Sequence, residues 1–389
     1  MRKLLWLLPL LLLALVPALA EEAADVTADC TIVYAGKTMK PNSRLTDDNY
    51  TTGEVLKPGE YAEITCSEPM SGVMVRFHDV SDSLTVQLPE GDGWVDDVTV
   101  GTHLTDWMGF SRETDRFRLV NTSKRKLKLA ELNMYGSGER PASVHVWNDC
   151  EKADLMLVVG HPDDDLLWFG GLLPMYAGER GLHVVVVYAH TRAAERRLEL
   201  LEALWTCGVH DYPCLLTFSG TTHSLSDTYR FWGKEKVFTT FTGVIRRYRP
   251  DVVITQAVSG EYGHGAHKLV ADAIPKCAEM AADPEQYPDQ GEAWQVQKIY
   301  LHLWPENAQH FNWHVPLKAF GGEDAYSVAT RALLCHRSQT KAGFWTMHQG
   351  EKEHNDNTLF GLKFTLVGPD TVGGDLFENL PQSVLSQTV

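Results

Sequence analysis

The chain has 389 residues, and its hydrophobic content of 44% and charged content of 22% are typical of a globular protein. Its formal net charge is −16 at pH 7. Because so acidic a protein repels nucleic acids and anionic membranes, nucleic acid is excluded as an expected partner, and a glycan or a neutral or cationic molecule fits better.

The first twenty residues have the pattern of a secretory signal peptide. Arg2 and Lys3 precede an unbroken apolar block, which ends in the small-residue sequence ALA. We expect cleavage after residue 20 and secretion of the mature chain, with an uncleaved signal anchor as the minor alternative. No later run reaches the ~18 apolar residues that cross a bilayer, so no membrane span is expected in the mature chain.

A mature chain of about 369 residues is longer than one typical domain, so we expect two domains. Residues 21–148 contain short runs separated by turn signals, among them YAEITC, GVMVRFHDV, LTVQLP and DRFRLVN. These runs lack helical periodicity and predict an all-β domain, built as an antiparallel sandwich. The segment SGERPAS, residues 137–143, marks the boundary, and residues 149–389 are expected to form the second domain.

The seven cysteines include no CxxC pair, and their odd number leaves at least one without a partner in the chain. In an oxidising compartment some of them are expected to form disulfides. Cys30 and Cys66 are a candidate pair within the first domain, and the rest of the connectivity is open.

The pattern changes at Ala153. Apolar runs such as ADLMLVVG, LHVVVVYA, CLLTF, DVVITQA and KIYLHLW alternate with helix-period segments such as AERRLELLEALWTCG and HKLVADAIPKCAEMA. This alternation predicts an α/β domain with a Rossmann-like, mostly parallel sheet and helices on both faces. Ligands of such sheets bind beyond the carboxyl ends of the strands.

Two polar clusters begin where predicted strands end. HPDDD follows ADLMLVVG, and SGEYGHGAH follows DVVITQA. His161 and Asp164 are three residues apart, as are His264 and His267, so each pair can converge on one point at the start of a helix. Two imidazoles and one carboxylate suit Zn²⁺ with a position left for water, and other divalent metals bind such sets too. Asp163 is then free to act as the base that takes a proton from this water.

Further motifs appear in register with these two clusters. A GG pair lies six residues beyond Asp164, RRYRPDVVIT precedes YGHGAH, and KIYLHLW and CHRSQ follow it. Together they resemble the LmbE/PIG-L family of metal-dependent N-acetylglucosaminyl deacetylases over residues 153–340. The resemblance implies that His161, Asp164 and His267 are metal ligands and that Asp163 is the general base.

The resemblance also implies roles around the substrate. His264 corresponds to a histidine that assists the tetrahedral intermediate or the leaving amine, and Tyr262 to a tyrosine that steadies the oxyanion. Arg192 corresponds to an arginine that contacts the substrate, with Glu195 about one helical turn further on.

Two positions depart from the family pattern. Asp165 stands where the family usually has glutamate, which affects at most a contact behind the ligands. Ala266 stands where the family often has aspartate, so it cannot supply the carboxylate that orients the equivalent of His264. Glu261 is one acid in the chain that could replace it.

The first domain carries a second resemblance. Residues 45–135, which open with LTDDNYTTG and close with LAELNMYG, are similar to galactose-binding-like β-sandwiches of the discoidin type. Trp94, Trp107 and Phe110 are expected in loop-like stretches, where their rings could stack on sugars or pack at the domain interface. Both interpretations remain open.

Other histidines and tryptophans are expected to have structural roles. Trp168 is interpreted first as a core residue, although it follows the metal motif closely. The histidines interpreted as ordinary strand or loop residues are His183, His223, His302, His310 and His314.

The sequence thus predicts a secreted zinc-dependent deacetylase that hydrolyses the N-acetyl group of an N-acetylglucosamine-containing sugar or glycan. One alternative is a glycan-binding protein with a catalytically impaired deacetylase-like domain, for which Ala266 and Asp165 are the reason. Another is a zinc hydrolase that acts on a different amide or an ester. Oligomeric state, sugar and linkage are left open.

Overall fold

The computed structural model of the protein describes residues 21–34, 36–39, 43–79, 83–101, 103–220, 222–340 and 354–381. The expected signal peptide, residues 1–20, lies outside the described residues. None of the helices in the described ranges is both long and apolar enough to cross a membrane.

The first half forms one antiparallel sheet of eight strands. The strands are β1 Cys30–Tyr34, β2 Lys37–Thr38, β3 Glu54–Leu56, β4 Tyr61–Phe77, β5 Leu84–Glu90, β6 Gly93–Val100, β7 Thr105–Asn121 and β8 Leu127–Gly136. They follow the order β2-β1-β4-β7-β5-β6, and β8 joins β3 to β4. All-β content is therefore observed, while the likeness to galactose-binding-like sandwiches stays a prediction.

YAEITC and the first six residues of GVMVRFHDV, predicted as separate strands, belong to the single strand β4, which ends at Phe77. Its pairing register with β7 breaks between Thr65 and Gly72, around Pro69. Proline has no N–H to donate to the ladder, so it is tolerated at such an irregularity. β4 consequently pairs with β1 before the break and with β8 after it.

The expectation that Trp94, Trp107 and Phe110 lie in loops is wrong. Trp94 belongs to β6, and Trp107 and Phe110 belong to β7. The turn signals around Trp94 mark a tight turn confined to residues 91–92, because β5 and β6 pair directly on either side of it. The Arg118 guanidinium lies 4.1 Å from the Trp94 ring centroid, and the Trp107 ring meets Tyr135 edge-on at 5.5 Å.

The second half alternates strands and helices, as the sequence predicts. Its strands are β9 Leu155–Val159, β10 Val184–Tyr188, β11 Cys214–Leu215, β12 Val252–Thr255, β13 Lys298–His302, β14 Ala308–His310 and β15 Leu359–Thr365. Its α-helices are α1 Asp164–Leu167, α2 Ala194–Thr206, α3 Leu225–Trp232, α4 Lys234–Tyr248, α5 Gly265–Ala282, α6 Ala325–Leu333 and α7 Arg337–Thr340. A π-helix spans Pro174–Glu179, and 3₁₀ turns span Thr27–Asp29 in the first half and Glu261–Gly263, Pro288–Gln290 and Lys318–Phe320 in the second.

The second sheet has the strand order β11-β10-β9-β12-β13-β15-β14. The first five strands in this order run parallel to one another. β15 is antiparallel to both β13 and β14, an edge that the sequence analysis did not predict. The mixed α/β architecture is thereby confirmed, and its Rossmann-like classification stays a prediction.

Helices cover both faces of this sheet. Side chains of successive strand residues point to opposite faces, so a strand buried on both sides is apolar throughout. In β9, Leu155 and Leu157 belong to a core that includes α2 and α6 residues, while Met156 and Val158 belong to a second core with α4 and α5 residues. The chain therefore places its polar chemistry at the strand ends.

The two halves meet along α2. Glu202 of α2 accepts hydrogen bonds from Tyr50 and from Arg76, both at 3.1 Å. One apolar core includes buried residues from both halves.

Within the first half, Cys30 and Cys66 face each other across β1 and β4, and both are free thiols in this structure.

Candidate metal centre

The HPDD segment turns sharply as it leaves β9. The helix predicted at this point is α1, which begins at Asp164, with Asp163 at its N-cap position. Asp163 has φ 95° and ψ −27°, a backbone conformation that is rare for residues with a side chain. Such strain costs on the order of 1–3 kcal/mol and is concentrated at functional sites. Because of this turn, the consecutive carboxylates of Asp163 and Asp164 contact different neighbours.

Three side chains predicted as metal ligands converge at the carboxyl end of β9. His161 Nδ1 lies 3.2 Å from Asp164 Oδ2 and 3.2 Å from His267 Nε2. The third distance, from His267 Nε2 to Asp164 Oδ2, is 3.1 Å. Two imidazole nitrogens and one carboxylate oxygen thus form a compact triangle, an arrangement that suits a shared cation.

His267 reaches this point because Gly160 has no side chain. A Cβ at residue 160 would lie 2.9 Å from His267 Cδ2 and 3.3 Å from Asp164 Oδ2. The Gly160 amide also donates a 2.9 Å hydrogen bond to Gln256 Oε1. The end of β9 is therefore tied to the segment after β12, which leads into α5 and its histidines.

A buried acid holds His267 from behind. Glu261 Oε2 lies 3.0 Å from His267 Nδ1, and its other oxygen lies 2.5 Å from His302 Nδ1. The Ala257 amide donates a further 3.0 Å hydrogen bond to Glu261. A carboxylate on the far nitrogen of a ligand histidine sets the ring orientation and leaves the near nitrogen free for a metal.

The electrostatics of this cluster match a bound cation. Burial would raise the pKa of Asp164, but the two neighbouring histidines hold that pKa well below its usual range. Burial would lower the pKa of His267, yet Asp164 and Glu261 raise it to about 10. Two ionised acids therefore face buried imidazoles, and a divalent cation fits this donor set and charge. His264 also offers a ring nitrogen within 4.8 Å of the other two histidines.

Asp163 is paired with an arginine that the sequence analysis did not single out. Arg196 Nη2 lies 3.0 Å from Asp163 Oδ2. Burial raises the pKa of Asp163 well above its usual value, while Arg196 opposes that shift. A carboxylate with raised proton affinity beside a metal site has the properties of a general base.

His264 lies at the N-cap position of α5, next to the ligand triangle. Its ring meets the His161 ring edge-on at 4.6 Å. Burial, followed by the charges of His161 and His267, lowers the pKa of His264 to about 4. Ala266 is buried in the α4–α5 core. Glu261, which the sequence offers as a substitute partner for His264, contacts His267 and His302 instead.

Tyr262 and Trp168 contact each other beside the triangle. Tyr262 has φ 55° and is 54% exposed, and its ring meets Trp168 edge-on at 4.9 Å. Trp168 is fully buried, which agrees with a core role, but its Nε1–H also donates a 3.0 Å hydrogen bond to Asp164 Oδ1. Trp168 therefore orients a candidate ligand as well as filling the core.

Arg192 and Asp165 differ in exposure. Arg192 is exposed in the segment between β10 and α2, near the end of the sheet that carries the candidate ligands. Asp165 is fully buried, and burial raises its pKa to about 7. Burial, followed by the charge of Asp165, raises the pKa of Tyr188 on the neighbouring strand β10. Asp165 thus belongs to the packing behind the site, where the shorter acid meets a tyrosine hydroxyl.

Comparison with known proteins bears on the same region. Residues 156–278 match the family model described as PIG-L: GlcNAc-PI de-N-acetylase. The 1D-myo-inositol 2-acetamido-2-deoxy-alpha-D-glucopyranoside deacetylase 1 of Catenulispora acidiphila is 32% identical over 183 residues, which are 39% of this chain and 56% of the relative. The corresponding enzyme of Rhodococcus jostii is 31% identical over 176 residues, 38% of this chain and 60% of the relative.

Part of this chain, residues 156–278 in the family comparison, is thus similar to PIG-L/LmbE deacetylases. The chain spans little more than half the length of the curated relatives it matches. A solved structure of N,N'-diacetylchitobiose deacetylase from Pyrococcus horikoshii, complexed with an inhibitor, is 20% identical with a TM-score of 0.36. The match covers 48% of this chain and 71% of the Pyrococcus horikoshii chain.

Two buried histidines near the candidate metal centre fall outside the matched range, which begins in β9 and ends in α5. His302, expected to be an ordinary strand histidine, instead contacts Glu261 at the end of β13. The sequence signal that could have identified His302 was its position at the end of a strand that lies beside β12. His336 of the CHRSQ motif is fully buried, and burial and Arg196 lower its pKa to about 3. The CHRSQ motif pointed to this part of the chain but assigned no role to His336.

Proposed function

We propose that this protein is a zinc-dependent deacetylase that removes the acetyl group from an N-acetylglucosamine-containing sugar or glycan. The observation that carries the proposal is the triangle of His161, Asp164 and His267 with the buried carboxylate of Asp163 beside it. A family match over the same residues supports the reaction class.

His161, Asp164 and His267 would hold the metal. When bound there, a divalent ion such as zinc supplies a Lewis acid that polarises an amide carbonyl and lowers the pKa of water. Glu261 and Trp168 keep two of these side chains in place, through His267 Nδ1 and Asp164 Oδ1 respectively. Positions fixed in advance reduce the reorganisation that the reaction requires.

Asp163 would move the proton. Its carboxylate accepts a proton from the attacking water and can return it to the leaving amine, so the residue ends the cycle as it began. Arg196 holds Oδ2 through a 3.0 Å ion pair, and the other carboxylate oxygen would take the proton. Because of the left-handed turn at Asp163, the carboxylates of Asp163 and Asp164 can serve different functions although the residues are consecutive.

His264 and Tyr262 would face the substrate. His264 is neutral near pH 7 because its pKa is lowered, so it can donate an N–H to an oxyanion without carrying charge. Tyr262 presents a half-exposed hydroxyl-bearing ring above Trp168. Arg192, exposed before α2, would contact the sugar.

Acetate release tests this function directly. We expect the metal-loaded protein to release acetate from N-acetylglucosamine, its β-1,4 oligomers or N-acetylglucosaminyl-inositol, and to release none after metal removal by a chelator. Matched acetate esters separate an esterase from a deacetylase. If every amide is left intact while the protein still binds the same sugars, the glycan-binding alternative replaces this proposal.

We also propose that the chain is secreted, on the basis of the basic, apolar and small-residue order of residues 1–20. We expect the exported protein to begin at Glu21, which the mass of the mature chain measures. A product that retains residues 1–20 in the membrane fraction would contradict secretion and favour a signal anchor.

A further inference from the structure

A second cluster of metal-ligating side chains lies at the other end of the parallel sheet. Cys150 precedes β9, His183 precedes β10 and Asp211 precedes β11. The candidate metal centre follows the carboxyl ends of the strands, so the five residues of β9, roughly 16 Å of extended chain, separate the two clusters. The second cluster cannot take part in the reaction proposed above.

One ligand atom from each of these residues lies within 4.8 Å of the other two. His183 Nδ1 is 3.1 Å from Asp211 Oδ2. In a tetrahedral zinc site with bonds of about 2.0–2.3 Å, ligand atoms lie roughly 3.3–3.8 Å apart, so small side-chain movements close this set around an ion. We propose that Cys150, His183 and Asp211 form a second, structural metal site that takes Zn²⁺ or a similar thiophilic divalent ion.

The backbone around these residues is arranged in advance. The Asn148 amide donates to His210 O at 2.8 Å, and the Tyr212 amide donates to Asn148 O at 2.9 Å. These two hydrogen bonds hold the segment that carries Cys150 next to the segment that carries Asp211. A preorganised set of ligands binds a metal with less loss of conformational entropy.

Two contacts prepare the individual ligands. The His183 amide donates a 2.9 Å hydrogen bond to Asp154 Oδ2, which anchors the start of β10. The backbone amide of Lys152 donates to the Cys150 sulfur and favours the thiolate, although burial raises the pKa of that thiol to about 12. A metal ion would displace this proton, as it does at other thiolate sites.

One proposed ligand borders an open cleft, and another is exposed. Cys150 lines a cleft of about 1050 Å³ together with Cys214 and Tyr248, and the His183 side chain is 47% exposed. The three ligands come from the segment that follows the first half, from the start of β10 and from the loop after α2. A metal bound here would cross-link these three segments of the second half.

Cobalt substitution tests this site independently of activity. Cobalt bound to a thiolate shows a sulfur-to-metal charge-transfer band in the near ultraviolet, and the candidate catalytic centre has no cysteine among its ligands. We expect this band in the cobalt-loaded full chain and in His161→Ala. The band should be lost in Cys150→Ser and retained in Cys214→Ser, the control for the neighbouring thiol of the same cleft.

Cobalt stoichiometry completes the test. We expect two ions per wild-type chain and one per chain in His183→Ala, which removes an exposed side chain and so tests the site even if Cys150→Ser misfolds. A wild-type protein without the charge-transfer band, or a band that persists in Cys150→Ser, would overturn the proposal. An unchanged stoichiometry in His183→Ala would overturn it as well and would leave His183 and Asp211 as a simple ion pair.

Discussion

Replacing Asp163 by asparagine is expected to lower acetate release by a factor of roughly 10²–10⁴ while the metal stays bound. The substitution removes the proton acceptor but keeps the size of the side chain and an oxygen that can accept from Arg196. Asparagine also tolerates the left-handed backbone that residue 163 adopts, with φ 95°. The measurements are the rate of acetate release and the metal content of the same preparation.

Asp164→Asn is the matched control, because it makes the same chemical change at the next residue. Asp164 is one corner of the ligand triangle, so this variant should lose metal as well as activity. If Asp163→Asn keeps the wild-type rate, Asp163 is not the base. If Asp163→Asn loses its metal to the same extent as Asp164→Asn, the division of roles between the two acids is wrong.

Glu261→Gln is expected to weaken metal binding by roughly 10–100-fold. Glu261 holds His267 and His302 with separate oxygens, and these contacts lower the pKa of Glu261 to about 2 although burial opposes the shift. An amide presents an N–H where one of these histidines needs an acceptor. A buried donor without a partner also costs stability, on the order of 1–3 kcal/mol.

Competition with a calibrated chelator measures the metal affinity, and urea unfolding of the metal-free chain measures stability. Glu279→Gln makes the same change at an exposed position of α5 and should alter neither quantity. Because the pKa of Glu261 lies below its unfolded value of 4.5, its contribution is present above pH 4.5 and is lost as the pH falls through about 2. An unchanged metal affinity in Glu261→Gln would show that His267 needs no carboxylate behind it.

Much of the second half could be predicted from the sequence because its signals are local. Apolar runs of strand length alternate with helix-period segments, and a strand buried on both faces has to be apolar throughout. The motif HPDDD comes directly after one of these strands and YGHGAH comes a few residues after another, and parallel strands end at the same edge of a sheet. The convergence of His161, Asp164 and His267 was predictable for that reason.

Signals in the first half were weaker. Gly and Pro near Trp94 and within β4 indicated loops, yet the pairing of neighbouring strands continues past them. Whether such a residue ends a strand depends on the hydrogen bonds available across the sheet. Those bonds join segments that are distant in sequence, so local patterns do not reveal them.

The sequence by itself determined which residue types stand at the strand ends, and therefore which ligands and which base the site can have. Only the tertiary structure decided their partners: Arg196 pairs with Asp163, and Glu261 supports His267 together with His302 from β13. Spacing along the chain fixes neighbours within a turn or a strand. Contacts between separate elements depend on strand order and helix packing, and these follow from burial of the whole core rather than from any one segment.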